Sequence, residues 1–139
     1  MPSLPTNSAW VAAWQALTVS GVKNLKTPPL SLDTAKVPAM WPELPQTSIA
    51  GLQVSCTNEN KARQMVFHLA IEPIGQNTQA GNYENALKFM DALETAVDGL
   101  RGETVNFLDY TLAMVADIYV GKETFWGFRV EATGRSVRA

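Results

Sequence analysis

Apolar positions along the chain follow two periods, and the switches between them mark out the elements. Trp10, Ala13, Trp14 and Leu17 recur at helical spacing. They predict a short helix capped by Ser8, running to about Thr18 and stopped by Gly21. Val22 to Lys26 reads as a short strand. The stretch from Thr27 to Pro45 holds Pro28, Pro29, Pro38, Pro42 and Pro45, which remove backbone donors. An extended segment is expected there, at a sheet edge or wrapped over the surface, with Val37 to Trp41 able to make an edge pairing. Gly51 to Thr57 and Gln64 to Glu72 read as strands joined by a polar turn at Asn58 to Lys61, which makes a hairpin. In the second of them Met65, Phe67, Leu69 and Ile71 share one face, and Val66, His68, Ala70 and Glu72 the other.

Pro73 stops that strand, and the polar loop Gly75, Gln76, Asn77, Thr78, Gln79 leads into the longest helical pattern, about Ala80 to Asp98. Its apolar stripe is Tyr83, Ala86, Leu87, Met90, Leu93, Val97 and Leu100. Gly99 or Gly102 supplies the stop. Tyr110, Leu112, Met114, Ala116, Ile118 and Val120 then alternate along one strand. A turn at Gly121 to Glu123 returns the chain through Thr124 to Thr133, with Trp126, Phe128 and Val130 on one face. Gly127, between two bulky aromatics, marks a bulge or a close backbone approach.

The order helix, strands, helix, strands predicts an α+β fold. A mainly antiparallel β-sheet with an N-terminal helix and one long central helix packed on one face buries each of these stripes. One domain is expected over residues 1–139, with 1–7 and 134–139 as loose ends. A hydrophobic content of 46% suits a real core, and a charged content of only 17% fits a surface that is partly covered by something else. The net charge of −2 and the scattered basic residues argue against nucleic-acid recognition as the main function. Cys56 is the single cysteine, so no disulfide closes within the subunit and no thiolate zinc site exists. No apolar run has the length of a membrane span, and the first residues lack the pattern of a secretory leader. A cytosolic product, or one assembled in a cytosol, is expected.

Catalytic chemistry has little to work with. His68 is the lone histidine and reads as a strand histidine held by a hydrogen bond; Cys56 aligns with Leu52 and Val54 and reads as an inert thiol. Asp91, Glu94 and Asp98 line one side of the long helix and read as a solvated face, or as an acidic stripe that meets arginines such as Arg63 or Arg129 of a neighbour. Gly121-Lys122 is followed by Glu123 where a phosphate loop needs serine or threonine. No enzyme activity, metal or cofactor is expected. Met40 and Trp41, on the stiff run Pro-Ala-Met-Trp-Pro, have two open roles: covering the core, or anchoring a contact between subunits. In the second role, Trp41→Ala weakens assembly and leaves the subunit folded.

Phe67-His68-Leu69-Ala70-Ile71-Glu72-Pro73, the run Gly75 to Gln79, Asn82-Tyr83 and Met90-Asp91-Ala92-Leu93 together resemble the small tail terminator, or tail completion, proteins of tailed bacteriophages. Ala9-Trp10 to Leu17, Gly21-Val22-Lys23-Asn24, Leu44-Pro45, Val120-Gly121 and Phe125-Trp126-Gly127-Phe128 extend the likeness over nearly the whole chain. The resemblance implies an α+β virion subunit, typically in a hexameric ring. Such a ring caps the head-proximal end of the tail tube, ends tube growth and joins the tail to the head connector, with DNA passing through its lumen unread. Its implied partners are copies of itself, the tail tube protein and the connector or stopper protein, with no membrane. Met40, Trp41, Gly75, Gln76, Asn77, Thr78 and Gln79 are the interface candidates. Another neck component, such as a head-completion or stopper protein, is the first alternative. A small ligand-binding or enzymatic domain with a deep pocket near His68 is the second.

Overall fold

The computed structural model describes residues 6–30, 38–49, 61–73, 83–101, 105 and 107–135. Helix α1 spans Asn7–Gln15 and helix α2 Tyr83–Asp98. The strands are β1 (Lys23–Asn24), β2 (Ala39–Pro42), β3 (Gln46–Ile49), β4 (Lys61–Pro73), β5 (Phe107–Val120) and β6 (Glu123–Arg135). They form one sheet in the order β1-β2-β4-β6-β5, with β3 also paired to β4. Every pairing is antiparallel except β1 with β2. The α+β fold with a mainly antiparallel sheet is as expected from the pattern.

Strand β4 organises the sheet. Along one edge it binds β3 through residues 61–64 and β2 through residues 67–70, and along the other it binds β6. Met65, Phe67, Leu69 and Ile71 point to the helix face, where they meet Trp10 and Trp14 of α1 and Leu93 and Val97 of α2 in the main core. The α1 tryptophans are fully buried and pack edge to face, with ring centroids 5.5 Å apart, and Trp14 lies 5.3 Å from Phe67. On the other side of the sheet, Ala39, Trp41, Ala70, Ile118, Val120 and Phe125 make a second, smaller cluster.

Several local expectations shift. The cap of α1 is Thr6, whose Oγ1 accepts from the Ala9 amide, so Ser8 falls inside the first turn. The helix ends at Gln15, well before Gly21, because the Asn24 amide from β1 donates to the carbonyls of Trp14, Gln15 and Leu17. Gly21, with φ of 81°, instead makes the turn between Val19 and Val22. Strand β2 is interior, between β1 and β4, and its last residue is Pro42. The partner of β4 in the first hairpin is residues 46–49; the expected strand at 51–57 and its turn through Asn60 lie outside the described residues. Leu87, assigned to the buried stripe of α2, is 42% exposed.

Two irregularities shape the long strands. The β5–β6 register shifts between Val115 and Ile118. An extra residue there flips the alternation, so Tyr110 and Leu112 pack against the main core while Ile118 and Val120 join the cluster on the opposite side. The expected single-face run from Tyr110 to Val120 is therefore broken in two. The β4–β6 register shifts between Ala70 and Glu72, beside Gly127. A Cβ at Gly127 would fall on the Leu69 carbonyl, so both readings of that glycine hold. Gly134 and Arg135 belong to β6 rather than to a loose tail. Gly134 is buried, and a Cβ there would sit 2.8 Å from the Trp10 ring.

Gly127→Ala is expected to destabilise the fold by about 3 kcal/mol, because backbone must move to admit one methyl group. Urea denaturation of the variant beside the parent chain measures this; a change within experimental error would show that the two strands have room to part.

Candidate functional site

Strand β5 is the end of the sheet. Its inner edge pairs with β6 from Phe107 opposite Arg135 to Val120 opposite Glu123. Its outer edge has no strand partner among the described residues. An open edge presents a row of unsatisfied amides and carbonyls, and isolated subunits usually blunt it with lysine, proline or a very short strand. This edge is 14 residues long and contains no lysine, arginine or proline. The bulge after Val115 interrupts it once, leaving residues 107–115 as a regular ribbon.

The side chains flanking this edge are apolar in the middle and carry both signs of charge around it, with Arg101, Lys122 and Arg135 exposed beside the acids. Met114 is 51% exposed and Tyr119 74% exposed. On the helix side, Tyr110 donates to Asp98 Oδ1 at 2.7 Å, which joins the end of α2 to the start of β5. Partial burial and this hydrogen bond, with Glu94 close by, push the Tyr110 phenol up to about 12. Asp91, Glu94 and Asp98 are all exposed, as a solvated face requires. On the outer side Asp109 is exposed, and Asp117, at the bulge, accepts from Arg129 Nη2 at 2.8 Å. Arg129 is thus held within the subunit. Arg101 donates to the Leu108 carbonyl at 2.9 Å, and Arg63 to the Thr47 hydroxyl.

The sheet face away from the helices carries the lone histidine. Trp41, His68, Arg129 and Ala113 lie in one cross-strand row over β2, β4, β6 and β5. The imidazole of His68 is buried, 5.6 Å from the Trp41 ring, with Nε2 3.1 Å from Glu43 Oε1. With Nε2–H donating to Glu43, Nδ1 is left a bare acceptor, buried and with no partner among the described residues. Burial holds the His68 pKa below its ordinary value, helped by the Arg129 cation and opposed by Glu43 and Asp117. This geometry fixes a neutral imidazole in place and does not present a base to solvent. A trough of about 440 Å³ lies two residues further along the same face, lined by Leu44, Gln46, Gln64, Val66, Thr111 and Glu131 among others, and His68 is not part of it. Among the described residues no group of three His, Cys, Asp or Glu side chains is placed to hold a metal ion, and no helix is long and apolar enough to cross a membrane.

Of the interface candidates, Met40 is fully buried in the main core and Trp41 is 2% exposed in the cluster on the other face. Both therefore fill the subunit's own interior, because β2 is an inner strand. Gly75, Gln76, Asn77, Thr78 and Gln79 lie outside the described residues, as does Cys56. Sequence reasoning missed three features: the open β5 edge, the Glu43–His68 contact and the Asp117–Arg129 pair. The edge had a signal, the long strand without a lysine or proline. The two pairings had none, since they depend on strand register. No protein-family model matches the chain, and no curated protein matches it.

Trp41→Ala should act on stability, by about 3–5 kcal/mol, since it empties a buried site. Thermal melting that stays at the parent temperature would show the ring to be dispensable. A second expectation concerns pH. The unfolded chain binds a proton on His68 near 6.5 and the folded chain only lower, so stability is complete above that pH and falls as the pH drops below it. Urea midpoints between pH 7.5 and 5 should decline less steeply in His68→Gln than in the parent. Equal slopes would contradict a buried neutral imidazole.

Proposed function

We propose that this chain is a non-enzymatic structural subunit that assembles with copies of itself into a ring and serves as a tail terminator in the neck of a tailed bacteriophage. The observation that carries the reading is the outer edge of β5, which has no strand partner among the described residues. An edge regular over residues 107–115, with Met114 exposed on it and without lysine or proline, is a liability in a solitary protein and a natural contact in an assembly. The resemblance to tail terminators, running over nearly the whole chain, supplies the kind of assembly. The ring would end growth of the tail tube, offer its other side to the head connector, and let DNA through its lumen. A net charge of −2 suits that passage, because a strongly basic lumen would hold the phosphates back. No cofactor enters this scheme, and the site of action is the virion.

The test is assembly itself. Purified protein should form a ring, seen by native mass spectrometry and negative-stain electron microscopy, and should cap polymerising tail tube protein. Capping separates a terminator from a head-completion or stopper protein. A chain that stays monomeric at every concentration and leaves tube growth unchanged would remove the reading. Met114→Lys should weaken self-association by about tenfold or more, equivalent to about 1.4 kcal/mol, with an unchanged circular dichroism spectrum because the side chain is half exposed. Sedimentation velocity over a concentration series measures it.

A further inference from the structure

We infer that the trough on the sheet face away from the helices is a binding site, and that it takes an arginine side chain presented by a protein partner. The site is separate from the β5 edge, so the inference does not depend on the self-assembly reading.

Strand register builds the trough. Gln46 on β3 faces Gln64 on β4, which faces Thr133 on β6. In the next row Val66 faces Glu131, which faces Thr111 on β5. Side chains directly opposite one another stand about 5 Å apart, so the two rows set five polar groups around the apolar Val66. They line a cavity of about 440 Å³, ample for one long side chain. None of the five makes a side-chain hydrogen bond or ion pair with another described residue. Their hydrogen-bonding capacity is left to solvent or to a ligand.

Glu131 carries the one charge in the lining. No cation among the described residues is paired with it. Arg129, two residues before it, is held by Asp117 at 2.8 Å, and Asp109 and Arg135 stand beyond the lining. The complement of a lone carboxylate flanked by amide and hydroxyl oxygens over an apolar floor is a flat cation with several donors. A guanidinium is such a group. It can meet the carboxylate through two parallel hydrogen bonds, give its other donors to the neighbouring oxygens and rest its weakly hydrated face on Val66. A lysine ammonium is compact and strongly hydrated, and gains less from a flat site. The rim favours a protein as the source. Leu44 is 87% exposed there, and the backbone that carries an arginine would cover it, whereas a free small cation would leave it in water.

The probes are three blocked tripeptides that differ only in the central residue: arginine, lysine or citrulline, the neutral isostere. A fourth is n-propylguanidinium, the side chain without a backbone. Binding is followed in amide NMR spectra of the deuterated full chain. The arginine peptide should move the amide signals of Gln64, Val66, Glu131 and Thr133. It should bind about tenfold or more tighter than the citrulline peptide, and more tightly than the lysine peptide. Glu131→Gln, at an exposed position, should lose that advantage while the rest of the spectrum stays in place. Leu44→Ala should weaken the peptide and leave n-propylguanidinium unchanged. Unmoved amides, equal binding of the arginine and citrulline peptides, or full affinity in Glu131→Gln would overturn the site. A lysine peptide as tight as the arginine one would overturn the choice of guanidinium, and n-propylguanidinium as tight as the peptide would overturn the protein partner. Native mass spectra report the oligomeric state separately, so failure here leaves the assembly reading standing.

Discussion

The ladder of hydrogen bonds along both edges of β4 is what the rest of the structure depends on. Three strands take their register directly from it: β2 and β3 on one side, β6 on the other. Strand β5 then takes its register from β6, and β1 from β2. A slip of one residue in β4 would turn Phe67 and Leu69 away from the tryptophans of α1 and put His68 in their place. The cost of burying an unpartnered imidazole against Trp10 and Trp14 pins the register as firmly as the apolar contacts do.

The two faces of the sheet are built differently, and the difference is chemical. The helix face is filled by large apolar groups from both helices and four strands. The opposite face divides into an apolar cluster around Trp41 and Phe125 and a polar stretch with Gln64, Thr111 and Glu131. His68 stands at the boundary, beside Trp41 on one strand and Arg129 on the other. Its neutral form is the one compatible with both neighbours: a protonated ring would add a charge next to a guanidinium and place a second donor where no acceptor is described. The imidazole is therefore part of how the sheet holds together, and its nitrogen atoms are turned inward.

Where period alone decides structure, the sequence was legible. The α1 tryptophans, the alternation of β4 and the β5–β6 hairpin all appear as their spacing requires. Where structure depends on which residues face each other across strands, it was not. The bulge near Ala116 carries no composition signal, so the alternation from Tyr110 to Val120 looked continuous although it crosses from one face to the other. Trp41 had two open roles, core cover and subunit anchor, because prolines suggest an edge, yet β1 pairs with β2 in parallel and closes that side. Asn24 ends α1 from a different element, which no local rule anticipates. Of the candidate site, the exposed acids on α2 were readable from helical spacing, whereas the free edge they border emerges only from strand order.

An open sheet also carries directional information from one end to the other. Neighbouring strands rotate by about 20–25°, so the four steps from β1 to β5 accumulate roughly 80–100° between the two end strands. Both bulges add local twist within that span, one between β4 and β6 and one between β6 and β5. The angle between the two end strands is therefore set inside the subunit, where Gly127 lets β4 and β6 approach closely.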